Sequence, residues 1–414
     1  PAAKINSLAN LLNTCTAATS SSGCSALFSA TTPASGTAPT NTLDAALNLV
    51  LNPGTNVAAL YNQSTASTAF TPALTAPADW TMFLNFTGGG MNSPSGVGVD
   101  AAGNVWVASY FSAASEFTPT GNPVFPSGIT SGGLYFSYGL AVDAQNNIWI
   151  PNEDSPITGV NNELGSITTL NSAGQVTSGA TGYFAGGIYY PIAVAIDTNA
   201  TAWIVNYGNS SLTLLNSAGQ PLSGATGYTS PKLVFPVAVA IDASHNAWLA
   251  NQEDVTVTEV SPDGSQITSY ACCNGASGIA IDQRGFVWVA NYYGDSISQL
   301  AADGTVISSG YSDNLASIHH PQGIAIDGAG HVWNTNYLGD SITELAGSAA
   351  NSPGQILSPT VGYASDAKLD EGFAIAIDAS GNLWITNFFS NTLTEIVGLA
   401  TPVKTPQIGP VQSP

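Results

Sequence analysis

The sequence predicts an all-β protein: a seven-bladed β-propeller of four-stranded blades with a small α-helical N-terminal extension. One phrase, complete in GIAIDGAGHVWNTNYLGDSITEL (323–345), returns seven times along the chain. Its Asp is Asp100, Asp143, Asp197, Asp242, Asp282, Asp327 or Asp378, and six residues on stands Trp106, Trp149, Trp203, Trp248, Trp288, Trp333 or Trp384. Successive copies of the Asp lie 40 to 54 residues apart, the length of one propeller blade. Within each copy a short apolar run, a polar break and a second apolar run read as a β-hairpin, as in AVAIDASHNAWLAN (238–251).

The elements follow in chain order. AKINSLANLL places Ile5, Leu8, Leu11 and Leu12 on one helical face, and NTLDAALNLVLNPG places Leu43, Leu47, Val50 and Leu51 on another before Pro53 and Gly54 end the helix. DWTMFLNFTG (79–88) then alternates Trp80, Met82, Leu84 and Phe86 with Thr81, Phe83, Asn85 and Thr87, a strand signal ahead of the first repeat. The seventh copy supplies only three strands, so 79–88 is expected to complete the last blade and close the ring, removing its exposed edges. Three regions result: a helical and extended segment over 1–78, the propeller over 79–400, and a tail over 401–414 with Pro402, Pro406, Pro410 and Pro414. The tail is too rich in proline to fold alone. It is read as a dangling end, a strap across its own propeller, or an arm for a neighbouring subunit.

In each hairpin the third residue after the Asp is Gly103, Gly285, Gly330, Gly381, Asn146, Ala200 or His245, mostly residues that tolerate positive φ in a tight turn. The Asp is then expected to accept hydrogen bonds from turn amides, a structural role that serves all seven copies. The Trp ring reads as inter-blade core. In the third strand, Glu259, Gln299, Glu344 and Glu395 are expected on the solvated face, and a Gly-Tyr pair at Tyr183, Tyr228, Tyr311 and Tyr363 marks an outer strand.

These residues resemble a known family. GIAID, a Gly-containing turn, an aromatic strand and DSI are similar to the NHL repeat and, more loosely, to the virginiamycin B lyase group of propellers, over about residues 94–397. The resemblance implies the fold and leaves the activity open, because such propellers host enzymes, binding modules and scaffolds. The chain lacks the usual third-strand Arg of NHL repeats, and no Glu-x-His occurs in it, so the His and Glu pairing of the lyases is missing.

Composition narrows the function classes. Charged residues are 7% of the chain, yet 26 acidic against 5 basic side chains give a net charge of −21. A phosphate-binding surface needs a basic patch, so nucleic acid is excluded as a partner. No apolar run reaches the length of about 18 residues that a membrane span requires. The first residue is Pro1, which is read as the product of removing a secretory signal. Cys15 and Cys24 flank a short Ser-rich loop and are expected to form a disulfide; Cys272 and Cys273 are adjacent, a vicinal disulfide or two thiols. Asn62, Asn85, Asn199 and Asn209 open Asn-x-Ser/Thr sequons, which carry glycans only in a host that makes them. The expected location is secreted, extracellular or cell-surface.

Three residues after each Trp comes Asn152, Asn206, Asn251, Asn291, Asn336 or Asn387, with Ser109 in the first copy. Together with Tyr207, Tyr292, Tyr337 and Phe388 these Asn are candidate ligand contacts, since amides beside aromatic rings suit sugars; strand capping is the alternative. The longest loop (152–166) carries Glu153, Asp154 and Glu163, and Gln-Glu-Asp (252–254) carries Glu253 and Asp254. If these loops share a face, they offer oxygen ligands for Ca²⁺; otherwise they are solvated turn acids. No other cofactor is expected. His319 and His320 form the one candidate histidine pair, and neither a nucleophile elbow nor a phosphate-binding loop is present.

The leading functional expectation is therefore a non-enzymatic extracellular interaction or structural protein, partnered by itself or by other extracellular proteins. Self-assembly into a filament or surface layer through the N-terminal region and the tail is its specific form. A metal-dependent lyase or hydrolase at the propeller mouth and a glycan-binding propeller are the alternatives.

Overall fold

The computed structural model describes residues 2–17, 23–33, 36–111, 113–154, 165–312, 317–367 and 369–414. Seven antiparallel sheets stand around a central hub. Their inner strands are Pro94–Val99, Ala141–Val142, Pro191–Ile196, Pro236–Ile241, Ala276–Ile281, Pro321–Ile326 and Gly372–Ile377. Each packs on the next and the seventh packs on the first. Four sheets have four strands and three have three regular strands among the described residues. In those three the outer position is held only by isolated bridges, such as Ile167 to Tyr183 and Ile342 to Tyr363. The last blade takes its outer strand from before the first: Phe83–Phe86 runs antiparallel to Thr392–Ile396, with Phe83 opposite Ile396.

The six-residue spacing of Asp and Trp has a direct physical cause. In every copy one carboxylate oxygen accepts from the amides two and four residues on, at 2.8–3.0 Å, closing the hairpin turn. The other oxygen accepts from the Trp indole Nε1 at 3.0–3.3 Å. Gly103, Asn146, Ala200, His245, Gly285, Gly330 and Gly381 all take the positive φ that the turn needs. The indole thus satisfies its one donor while its ring is buried between blades.

One expectation fails here. Gln299, Glu344 and Glu395 are buried and Glu259 is half-buried, not solvated. The reason is the stacking of the blades: both faces of a third strand are covered, so alternation along it does not mark solvent. Each of these side chains sits directly across the ladder from a ring Trp, as Glu116 does opposite Trp106.

Among the described residues the extension contains four helices, α1 (Ala2–Thr16), α2 (Ser25–Ala30), α3 (Thr42–Leu51) and α4 (Val57–Ser64). Leu11, Leu27, Ala45, Leu49, Leu60 and Trp80 make their common core, and Cys15 is bonded to Cys24. Helix α3 presents the opposite face from the one its sequence suggested. Ala45 and Leu49 are buried, whereas Leu43, Leu47 and Leu51 are 76%, 53% and 46% exposed. Apolar residues occupy nearly every side of TLDAALNLVL, so periodicity alone does not select a face. In α1, Leu11 is buried and Ile5 is exposed. The extension is pinned to the propeller by Lys4, whose Nζ reaches Asp79 at 3.3 Å, the Thr81 carbonyl at 2.8 Å and Asp366 at 3.0 Å.

The tail folds back on its own chain as a strap. Thr401 donates its amide to Asp327 Oδ2, and its carbonyl accepts from Gly328. Lys404 donates to the Gln412 carbonyl, and Val403 and Val411 are buried.

Candidate functional site

The strap makes the two ends of the hub unequal. At the end where the Asp turns lie, Thr405, Gln407 and Gly409 of the strap line a cavity of about 260 Å³ together with the inner strands. At the other end is an open mouth of about 670 Å³, bordered by Tyr138, Glu153, Tyr207, Tyr292, Tyr337 and Phe373 among others.

The mouth is built the same way seven times. Ahead of each inner strand, directly before it in six blades and five residues before it in the second, the chain enters the left-handed region: Ser93, Phe136, Tyr190, Phe235, Gly275, His320 and Glu371 have φ between 46° and 69°. The carbonyl of each accepts a backbone hydrogen bond of 2.8–3.2 Å from the residue that follows the ring Asn or Ser, namely Tyr110, Glu153, Tyr207, Gln252, Tyr292, Tyr337 or Phe388. Six of the seven left-handed residues are not glycine, a conformation that costs about 1–3 kcal/mol at each position and tends to persist where a ligand site demands it. Four of them precede a proline, which fixes the start of the inner strand.

The six Asn side chains expected to meet a ligand do not border this space. All are buried, and each amide nitrogen donates to two hydroxyls of the adjoining strand at 2.8–3.1 Å, as Asn206 does to Ser211 and Thr213. Both amide hydrogens of each are therefore used inside the blade, as strand capping requires. Their neighbours Tyr207, Tyr292 and Tyr337 do border the mouth. Phe388 stacks on Phe373 at 5.6 Å.

The rings form a connected arc. Tyr292 meets Tyr337 at 5.9 Å, Tyr337 meets Phe373 at 6.3 Å, and Phe388 meets Tyr110 at 6.0 Å. Tyr110 in turn packs on Phe136 at 4.6 Å and Tyr138 at 5.1 Å. Tyr110, Tyr138, Phe136, Phe373 and Gln252 were not singled out from the sequence; the available signal was their place at the start of an inner strand or just past the second strand.

Burial pushes the Glu153 carboxyl up, with Asp154 adding to it. The phenols of Tyr110, Tyr138, Tyr207, Tyr292 and Tyr337 are also raised, first by burial and then by neighbouring acids such as Glu153 and Glu371. They stay protonated and offer neutral hydroxyl donors. Glu153, Asp154, Glu253 and Asp254 do not gather as a ligand group: among the described residues the one close set of three is Asp295, His319 and His320. Asp254 Oδ1 accepts from its neighbour's amide, Val255. Glu163 lies outside the described residues. Cys272 and Cys273 are joined as a vicinal disulfide.

No family model matches the chain, and no curated protein matches it. Solved structures do. It is similar to a virginiamycin B lyase from Staphylococcus aureus, with a TM-score of 0.58 and 14% identity over 76% of this chain and 99% of that one. A streptogramin B lyase aligns at TM-score 0.57 and 15% identity over 76% and 96%. The fold is that of the virginiamycin B lyase propellers. The same architecture recurs in the extracellular domain of a hybrid two component system from B. thetaiotaomicron, at TM-score 0.52 and 14% identity over 77% of this chain and 41% of that one.

Proposed function

We propose that this protein is an extracellular, non-enzymatic binding propeller that holds a saccharide in its open mouth. The observation that carries this reading is the arc of tyrosine and phenylalanine rings around a cavity of about 670 Å³ whose described lining contains no Lys or Arg. Ring faces stack on the apolar faces of pyranoses, and protonated phenols, Gln252 and Glu153 supply donors and acceptors for hydroxyls. Glycoside hydrolysis uses a pair of carboxyl groups flanking the bond, and Glu153 is the one carboxylate in that described lining. Two disulfides and the likeness to extracellular domains support an extracellular setting. The strap's packing on its own chain supports a closed particle over assembly through the tail.

Calorimetric titration with a panel of soluble oligosaccharides tests the reading. Tyr292→Ala and Tyr337→Ala are each expected to weaken binding about tenfold, the effect of about 1.4 kcal/mol, while the corresponding Phe variants retain the stacking share. No binding by the wild-type protein across the panel would overturn it.

A further inference from the structure

We propose that Asp295, His319 and His320 form a binding site for a divalent first-row transition ion at the seam between the fifth and sixth blades. This inference is independent of the saccharide reading.

The seam has a general latch. The turn after the second strand reaches the left-handed residue of the next blade: Ser210 Oγ accepts from the Phe235 amide, Asp340 Oδ1 from Glu371 and Asn391 Oδ1 from Ser93. Asp295 Oδ1 does the same for His320, at 2.7 Å. That latch accounts for an oxygen at position 295 and leaves two consecutive imidazoles on the facing loop unexplained.

Their geometry is that of a ligand set. One donor atom from each of the three residues lies within 4.8 Å of the others. His320 Nδ1 and Asp295 Oδ1 are 3.3 Å apart, and two ligands about 2.0–2.2 Å from a tetrahedral zinc lie about 3.3–3.5 Å from each other. Apart from that 3.3 Å approach to the Asp295 carboxylate, His320 Nδ1 is buried with no hydrogen bond, and a metal ion taking its lone pair would satisfy it. The backbones of both histidines are already held, His319 by Asn336 Oδ1 at 3.2 Å and His320 by Asp295. The third bond requires the His319 donor atom, within 4.8 Å of the other two, to move closer. Two imidazoles and a carboxylate select zinc and its neighbours over Ca²⁺ or Mg²⁺, and three protein ligands leave one position for water or a ligand oxygen. Tyr292, which borders the mouth, packs edge-on to His320 at 4.6 Å, so the site lies beside the mouth.

The test is titration of the untagged protein with Zn²⁺ by calorimetry and with Co²⁺ by visible absorption. With four histidines in the chain, background binding is low. One ion per chain is expected, with the intense visible bands of tetrahedral Co²⁺. His319→Ala, His320→Ala and Asp295→Asn should each weaken binding at least tenfold, whereas His245→Ala leaves it unchanged. Circular dichroism confirms that each variant is folded. Absence of stoichiometric binding by the wild type, or equal affinity in the three ligand variants, overturns the proposal and leaves a His–Asp ion pair.

Discussion

Replacing both Glu116 and Glu395 with Gln should remove much of the pH dependence of stability. Both carboxyls are buried, at 4% and 7% exposure, opposite a ring Trp. Burial first, and then the adjacent turn Asp, raise each of them to about 7 from an ordinary 4.5. The folded state thus binds protons that the unfolded chain releases. Stability from this source is fully present below pH 4.5 and is lost as pH rises through 7. At about 1.4 kcal/mol per pKa unit the ceiling is about 3 kcal/mol per group; allowing for residual screening, we expect about 1–2 kcal/mol from each. His331, raised mainly by its hydrogen bond to Glu344, adds a contribution of the same sign. Urea unfolding followed by tryptophan fluorescence should show these two carboxyls costing the wild type about 2–4 kcal/mol between pH 4.5 and 8.5, with the double variant losing only the shares of His331 and Glu153. Gln is tolerated at this place, since blade five carries Gln299 there with its amide oxygen accepting from the Tyr311 hydroxyl at 2.7 Å. Parallel profiles for the two proteins would refute the reasoning.

Asp282→Ala strips the acceptor from the Arg284 and Phe286 amides and from the Trp288 indole, so urea unfolding should show a loss of about 3–5 kcal/mol. Deleting residues 401–414 uncovers the surroundings of Val403 and Val411 and should cost about 3–6 kcal/mol, with particle mass by light scattering unchanged; a changed mass would restore the docking-arm reading. Opening the Cys15 to Cys24 disulfide, through a Cys15→Ala, Cys24→Ala pair, should lower the unfolding free energy of the helical extension by about 2.5 kcal/mol, as expected for a loop of this length. Its unfolding should then precede that of the propeller in fluorescence and circular dichroism.

The blade count and the hairpins were legible because they rest on a period, and a period survives any ambiguity in single residues. Burial was less legible. A strand covered on both sides alternates without alternating in exposure, which is why Glu344 and Glu395 looked solvated. The two readings of the ring Asn, ligand contact and strand capping, were left open although the hydroxyl partners were in view: Asn206, Asn251, Asn291, Asn336 and Asn387 each have a Ser or Thr five and seven residues later. That spacing is what one amide group needs to bridge two hydroxyls on the next strand. The mouth was only half visible. Tyr207, Tyr292 and Tyr337 stood beside the repeat, but Phe136, Phe235 and Glu371 reach the rim through positive φ, which bulky residues do not advertise.

Closure of the last blade has a consequence for how the molecule is made. Thr394 hydrogen-bonds Asn85 across 309 residues of chain, so the ring can be sealed only once the chain has been made almost to its end. Until then the third strand of the last blade presents an open edge, and first-made segments near Asn85 must wait for late ones. High sequence separation slows folding and prolongs the exposure of aggregation-prone edges. Premature termination before residue 392 removes the strand on which Phe83–Phe86 pairs and leaves that closing strand without its partner.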